Sequence, residues 1–99
     1  MNINLPKQEN SGLRLVITGR VQMVGFRWFT VQWAQDLDLA GYVKNQPDGS
    51  VLMEAEGPKK KLENMIEELK RGPRGSSVDR VEAEWLPFEH RFRDFNIRY

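Results

Sequence analysis

Cysteine is absent from the 99 residues, and histidine occurs once, as His90. Those gaps exclude disulfides, a thiolate nucleophile, a Cys-ligated zinc site and any cluster of histidine metal ligands. A Ser/His/Asp triad has a single histidine to build on. A charge excess is lacking too: 15 Lys+Arg stand against 14 Asp+Glu, a net +1. So balanced a surface does not draw in nucleic acid or an anionic membrane at large. No apolar run approaches the about 20 residues of a membrane span. Met1 to Gly12 is polar and lacks the apolar stretch of a signal peptide. The expectations are a cytoplasmic address, a flexible N-terminal tail over 1–12 and one domain over 13–99.

What is present reads as a soluble globular chain, 39% hydrophobic and 29% charged. Leu13, Leu15 and Ile17 alternate with polar residues, which predicts a strand up to Gly19. From Phe26 the apolar residues Phe29, Trp33 and Leu37 recur at helical spacing, with Thr30 and Ala34 beside them, and Gly41 follows the exit. Tyr42 to Asn45 and Ser50 to Glu56 flank Gln46-Pro47-Asp48-Gly49. That turn chemistry predicts a β-hairpin. Pro58 suits the first position of a second helix, whose Leu62, Met65, Ile66 and Leu69 lie on one face before Gly72-Pro73 stops it. Lys59, Lys60 and Lys61 intersperse with glutamates and read as a solvated face. Val78 to Trp85 and Phe92 to Tyr99 supply two further strands. The order β-α-β-β-α-β predicts an α+β, ferredoxin-like sandwich, an antiparallel sheet with two helices on one face.

The chemistry concentrates where the first strand hands over to the first helix. A helix start leaves backbone N–H groups without partners and carries partial positive charge. A curled loop before it aims more N–H groups at the same point. Arg27, in the first helical turn, adds a forked cation suited to phosphate or carboxylate. Asn45 shares a sheet face with Val43, which brings its amide towards that helix start. An amide both donates to and accepts from one water, so it can hold a nucleophilic water without taking its proton. Each residue alone has an ordinary reading: a solvated helix-start arginine, a hairpin-neck asparagine, loop glycines at Gly19 and Gly25, an exposed Gln22. An RNA-binding domain shares the element order, but its aromatics sit on the open sheet face, whereas here they cluster on the first helix.

Gly19-Arg20-Val21-Gln22-Met23-Val24-Gly25-Phe26-Arg27 resembles the first signature of the acylphosphatase family, Gly-x-Val-Gln-Gly-Val-x-Phe/Tyr-Arg, at every specified position but one. Gly41-Tyr42-Val43-Lys44-Asn45-Gln46-Pro47-Asp48-Gly49-Ser50-Val51, followed by Gly57, resembles the second. The likeness runs over roughly residues 13–99. It implies hydrolysis of acyl phosphates to a carboxylate and inorganic phosphate, with no metal, cofactor or covalent intermediate. It also implies that backbone N–H groups of Arg20, Val21, Gln22, Met23, Val24 and Gly25 wrap the phosphate, that Arg27 binds its oxygens and that Asn45 positions the water. A monomer acting on small molecules, without nucleic acid or membrane, is the expected setting. Met23 is the departure, standing where the family has glycine. If φ is positive there, a non-glycine residue costs about 1–3 kcal/mol. The alternative expectation is therefore a catalytically impaired, acylphosphatase-like anion-binding or interaction module.

Overall fold

A computed structural model describes residues 9–99. The alternation in the first strand is realised in β1 (Asn10–Arg20), where Leu13, Leu15 and Ile17 are fully buried. β1 starts earlier than the pattern predicts, because Asn10, Ser11 and Gly12 pair with Pro58, Gly57 and Glu56. These three residues are strand rather than tail; residues 1–8 of the expected tail lie outside the described residues. There follow α1 (Phe26–Asp36), β2 (Ala40–Asn45), β3 (Val51–Pro58), α2 (Lys59–Arg71), β4 (Ser77–Leu86) and β5 (Phe95–Ile97).

One sheet in the order β4-β1-β3-β2-β5 contains all five strands. Register sets Leu13, Leu15 and Ile17 opposite Ala55, Met53 and Val51, and Val43 opposite Met53, so one face is apolar throughout. α2 packs Leu62, Met65 and Leu69 into that face, and α1 packs Phe26, Val31 and Ala34. The buried stripe of α1 is rotated from the predicted one. Phe26, Thr30, Val31 and Ala34 are buried, while Phe29, Trp33 and Leu37 flank the core, partly covered. Small side chains at Thr30 and Ala34 let the helix approach closely. The Thr30 hydroxyl is satisfied by donating to the Phe26 carbonyl at 2.8 Å.

The ferredoxin-like α+β class stands, with one amendment to the antiparallel sheet. Each neighbouring pair among β4, β1, β3 and β2 is antiparallel, but β5 runs parallel to β2. The cause is the short connection between Leu86 and Phe95. β4 and β5 lie on opposite edges, and so short a segment crosses at the end of the sheet where β4 finishes. From there the last strand has one way to run, alongside β2. β5 is accordingly three residues long, shorter than the alternation over 92–99 predicts.

That crossover is gripped by side chains on the sheet face opposite the helices. The Glu56 carboxylate accepts the N–H groups of Glu89 and Arg91, both at 2.7 Å. Glu54 accepts from Arg14 Nη2 at 3.1 Å and from the Tyr42 hydroxyl, with Arg91 Nη1 3.7 Å away. Phe92 meets the Tyr42 ring edge-on at 5.9 Å, and the Arg98 guanidinium lies 3.8 Å from that ring's centre. Both carboxylates are almost wholly buried, at 5% and 3% exposure, yet hydrogen-bonded as buried charges must be.

Burial pushes the Glu54 carboxyl up, but the Tyr42 hydrogen bond and the charges of Arg14 and Arg91 outweigh it and hold it below its usual range. Burial, and then Glu54 itself, pushes the Tyr42 hydroxyl up. A carboxyl that titrates lower when folded stabilises the fold above its unfolded value, and that contribution is lost as the pH falls through the folded value. Glu54→Gln is therefore expected to cost about 2 kcal/mol at neutral pH. Thermal melts should show its gap from the wild type closing as acid protonates Glu54; a gap constant across pH would refute the assignment.

Candidate active site

The loop between β1 and α1 begins at a constriction. A Cβ at Gly19 would collide with the Ser77 carbonyl oxygen, and the β1–β4 register slips between Thr18 and Gly19. Such an irregularity re-aims the end of a strand. The loop is then anchored twice. Val21 is buried at 1% exposure, and the Gln22 amide donates to the carbonyls of Gln46 and Ser50 at 2.8 and 2.9 Å. Gln22 is thus a strap between the loop and the β2–β3 hairpin. That hairpin's neck is closed by Gln46 N–H to the Ser50 carbonyl at 2.8 Å and by Asp48, which accepts from the Ser50 N–H and hydroxyl.

Two left-handed residues curl the loop, Met23 at φ 62 and Gly25 at φ 76. The positive φ that would strain Met23 is therefore present. Its side chain is fully exposed, so it stands at the rim rather than filling the loop's interior. Gly25 caps α1 without a side chain, and the first turn holds no acidic residue. The first intrahelical bond runs from Phe29 N–H to the Gly25 carbonyl at 3.0 Å. The N–H groups of Phe26, Arg27 and Trp28 precede it and point out of the helix start.

Those N–H groups open on a pocket of about 140 Å³. Arg27 and Asn45 both line it, so the structure brings together the arginine and the asparagine expected to work as a pair. Val21, Met23 and Gly25 come from the loop, Trp28 from α1 and Ile97 from β5. Of the other expected cradle residues, Arg20 is exposed at the end of β1, opposite Ser77. Val24 packs on the core, and Gln22 spends its amide on the hairpin. None of these three lines the pocket, which leaves them their backbone N–H groups as a contribution.

No carboxylate pairs with Arg27 among the described residues. Its guanidinium lies 5.2 Å from the centre of the exposed Tyr99 ring instead, a contact that leaves its charge unneutralised. Asn45 Oδ1 is buried and has no hydrogen-bond partner among the described residues. An orphaned buried acceptor costs about 1–3 kcal/mol, so a donor from a bound molecule is what it lacks. The pocket is cationic, rich in N–H donors and short of one donor at Asn45: it suits an anion and a water.

Trp28 and Ile97 line the pocket and Tyr99 lies beside Arg27, and the sequence reading singles out none of the three. Trp28 had a usable signal, being an indole off the apolar stripe of α1. Ile97 and Tyr99 reach the site because β5 lies beside β2, which no local pattern announces.

Fold and pocket together define a class, a small ferredoxin-like α+β domain with a pocket where the β1–α1 loop, the start of α1 and β2 meet. Comparison with known proteins narrows it. The profile of the family described as Acylphosphatase matches residues 13–97. An acylphosphatase of Koribacter versatilis is 48% identical over 90 residues, covering 91% of this chain and 82% of the relative. One from Salinibacter ruber is 49% identical over 82 residues, covering 83% and 86%. The crystal structure of acylphosphatase from Bacillus subtilis superposes with a TM-score of 0.87 at 37% identity, over 90% of this chain and 99% of that one. The chain belongs to the acylphosphatase family.

Two outcomes test this local anatomy. Met23→Gly, which relieves the left-handed strain, is expected to raise stability by about 1 kcal/mol, read as a higher melting midpoint; an unchanged or lower midpoint would show that Met23 is unstrained. Gln22→Ala should lower stability by about 1–2 kcal/mol through the two lost hydrogen bonds, and should speed amide exchange at Gln46 and Ser50. Wild-type exchange there would show that the strap does not hold the hairpin.

Proposed function

We propose that this chain hydrolyses the carboxyl–phosphate bond of acyl phosphates, releasing a carboxylate and inorganic phosphate. One observation carries the reading: a buried, partnerless amide oxygen at Asn45 shares a pocket with an arginine and a helix start. Family membership points to the same reaction.

In this mechanism the phosphoryl oxygens lie among the N–H groups of the 20–25 loop and the start of α1. Arg27 forks onto two of them. Asn45 Oδ1 accepts a hydrogen bond from a water, which aims a lone pair of the water oxygen at phosphorus. The new P–O bond forms as the bond to the acyl oxygen breaks, and the electron pair leaves on the carboxylate. Both water protons end on the phosphate. A carboxylate is a good leaving group, so the step needs no general acid. Phosphoryl transfer through a loose transition state asks mainly for positioning and for stabilised charge on the equatorial oxygens. Arg27 and the N–H groups supply that charge stabilisation without a cofactor or metal.

The wider setting follows from the same reading: a cytoplasmic monomer acting on small molecules, with neither nucleic acid nor membrane as a partner. No helix among the described residues is long and apolar enough to cross a membrane. The rival, an impaired binding module, draws on the positive φ of Met23. Full exposure of the Met23 side chain gives it no further support.

Arg27→Ala and Asn45→Ala should each lower kcat/KM for an acyl phosphate by about 100- to 1,000-fold, the scale for losing one anion-stabilising donor. Asn45→Ala should melt no lower than the wild type, because it removes an orphaned acceptor. Near-wild-type turnover in either variant would overturn the mechanism.

A further inference from the structure

Sulfur in this chain is confined to methionine, since cysteine is absent and methionine occurs four times. A peroxide, whose first target is a thiolate, therefore meets thioether sulfur alone. Met53 and Met65 are fully buried, and Met1 lies outside the described residues. Met23 is 100% exposed. Burial denies an oxidant the sulfur until the fold opens locally, whereas exposure leaves its lone pairs open to attack at all times. Solvent access thus singles out one thioether of the three that the structure describes.

That thioether stands where a change of polarity has consequences. Met23 lines the same pocket as Arg27 and Gly25, in the loop whose N–H groups face an anion. Its backbone is held left-handed at φ 62. Before it comes Gln22, strapped to the hairpin, and after it Val24, packed on the core. The point of attachment is therefore fixed, while the side chain turns about three rotatable bonds. A thioether is a weak acceptor and gains little from the donors beside it. A sulfoxide oxygen is a strong, dipolar acceptor. Arg27, which has no carboxylate partner among the described residues, is the donor it would find.

We propose that Met23 is a site of reversible oxidation, and that its sulfoxide turns into the pocket and occupies donors that otherwise hold a phosphoryl group. The closing of the pocket rests on the anion-binding reading above; the oxidation does not. A sulfur lone pair attacks one oxygen of hydrogen peroxide, the S–O bond forms as the O–O bond breaks, and the remaining oxygen leaves as water. Sulfur is oxidised by two electrons and the peroxide is reduced by two. A methionine sulfoxide reductase returns the thioether at the expense of a dithiol. The glycine-to-methionine departure thereby acquires a use, since a glycine there carries nothing to oxidise.

The test treats the whole chain with hydrogen peroxide and locates the added oxygen by peptide mass spectrometry. Met23 is expected to oxidise faster than Met53 and Met65 by about tenfold or more, because those two wait on local opening. Calorimetry then compares binding of inorganic phosphate before and after treatment. The oxidised chain should bind about 3- to 10-fold more weakly, the scale of one competing hydrogen bond. A methionine sulfoxide reductase with dithiothreitol should restore the first affinity. Met23→Leu keeps an apolar side chain without sulfur, so treatment should leave its phosphate affinity at its own starting value. The switch is overturned, with the anion pocket intact, by Met23 oxidising no faster than the buried pair or by a sulfoxide form that binds phosphate as tightly as before. A loss that the reductase does not reverse, or that Met23→Leu shares in full, overturns it as well. An untreated chain that binds no phosphate would instead sink the anion-binding reading, and the switch with it.

Discussion

Glu56 takes two backbone N–H groups of the β4–β5 crossover onto one buried carboxylate, and beside it Glu54 joins Arg14, Tyr42 and Arg91. A buried carboxylate is costly unless every nearby donor is used, so these two glutamates dictate where the crossover lies. With the crossover held at that end of the sheet, β5 enters beside β2 in parallel. Ile97 then reaches the pocket and Tyr99 reaches Arg27. A polar clamp on the open face thus composes one side of a site built mostly on the other elements.

The loop side depends on a different economy of contacts. A short curled segment has few ways to satisfy its own backbone, and its unbonded N–H groups are what an anion needs. Buried Val21 and the Gln22 amide hold the segment where it leaves β1, and α1 holds it where it ends, so the curl is imposed from outside. Only a loop so constrained keeps Met23 in a left-handed conformation that a free chain would leave. Strain and binding capacity are two readings of the same geometry.

Much of this was legible in the residues. The alternation of Leu13, Leu15 and Ile17, the Pro-Asp-Gly turn and the Leu62–Met65–Leu69 spacing are local signals, and each formed the element it predicts. That Arg27 and Asn45 meet at one pocket was legible too, one from its place in a first helical turn and the other from its phase with Val43. Less accessible was anything decided between distant segments. The parallel edge follows from a crossover length, the rotated face of α1 from how closely Thr30 and Ala34 let it approach. Gln22 shows the same limit: its residue type suggests a surface amide, and only the neighbouring hairpin turns it into a strap.

β5 spans three residues at the edge of the sheet, and edge elements with few ladder bonds are where local opening begins. Fraying there would draw Ile97 and Tyr99 away while the four antiparallel strands stayed intact. Arg27 would lose its neighbouring ring and the pocket its Ile97 side, with no unfolding of the core. The integrity of the site is therefore governed by the local equilibrium of its weakest strand, and denaturant or heat should erode function before the global transition begins.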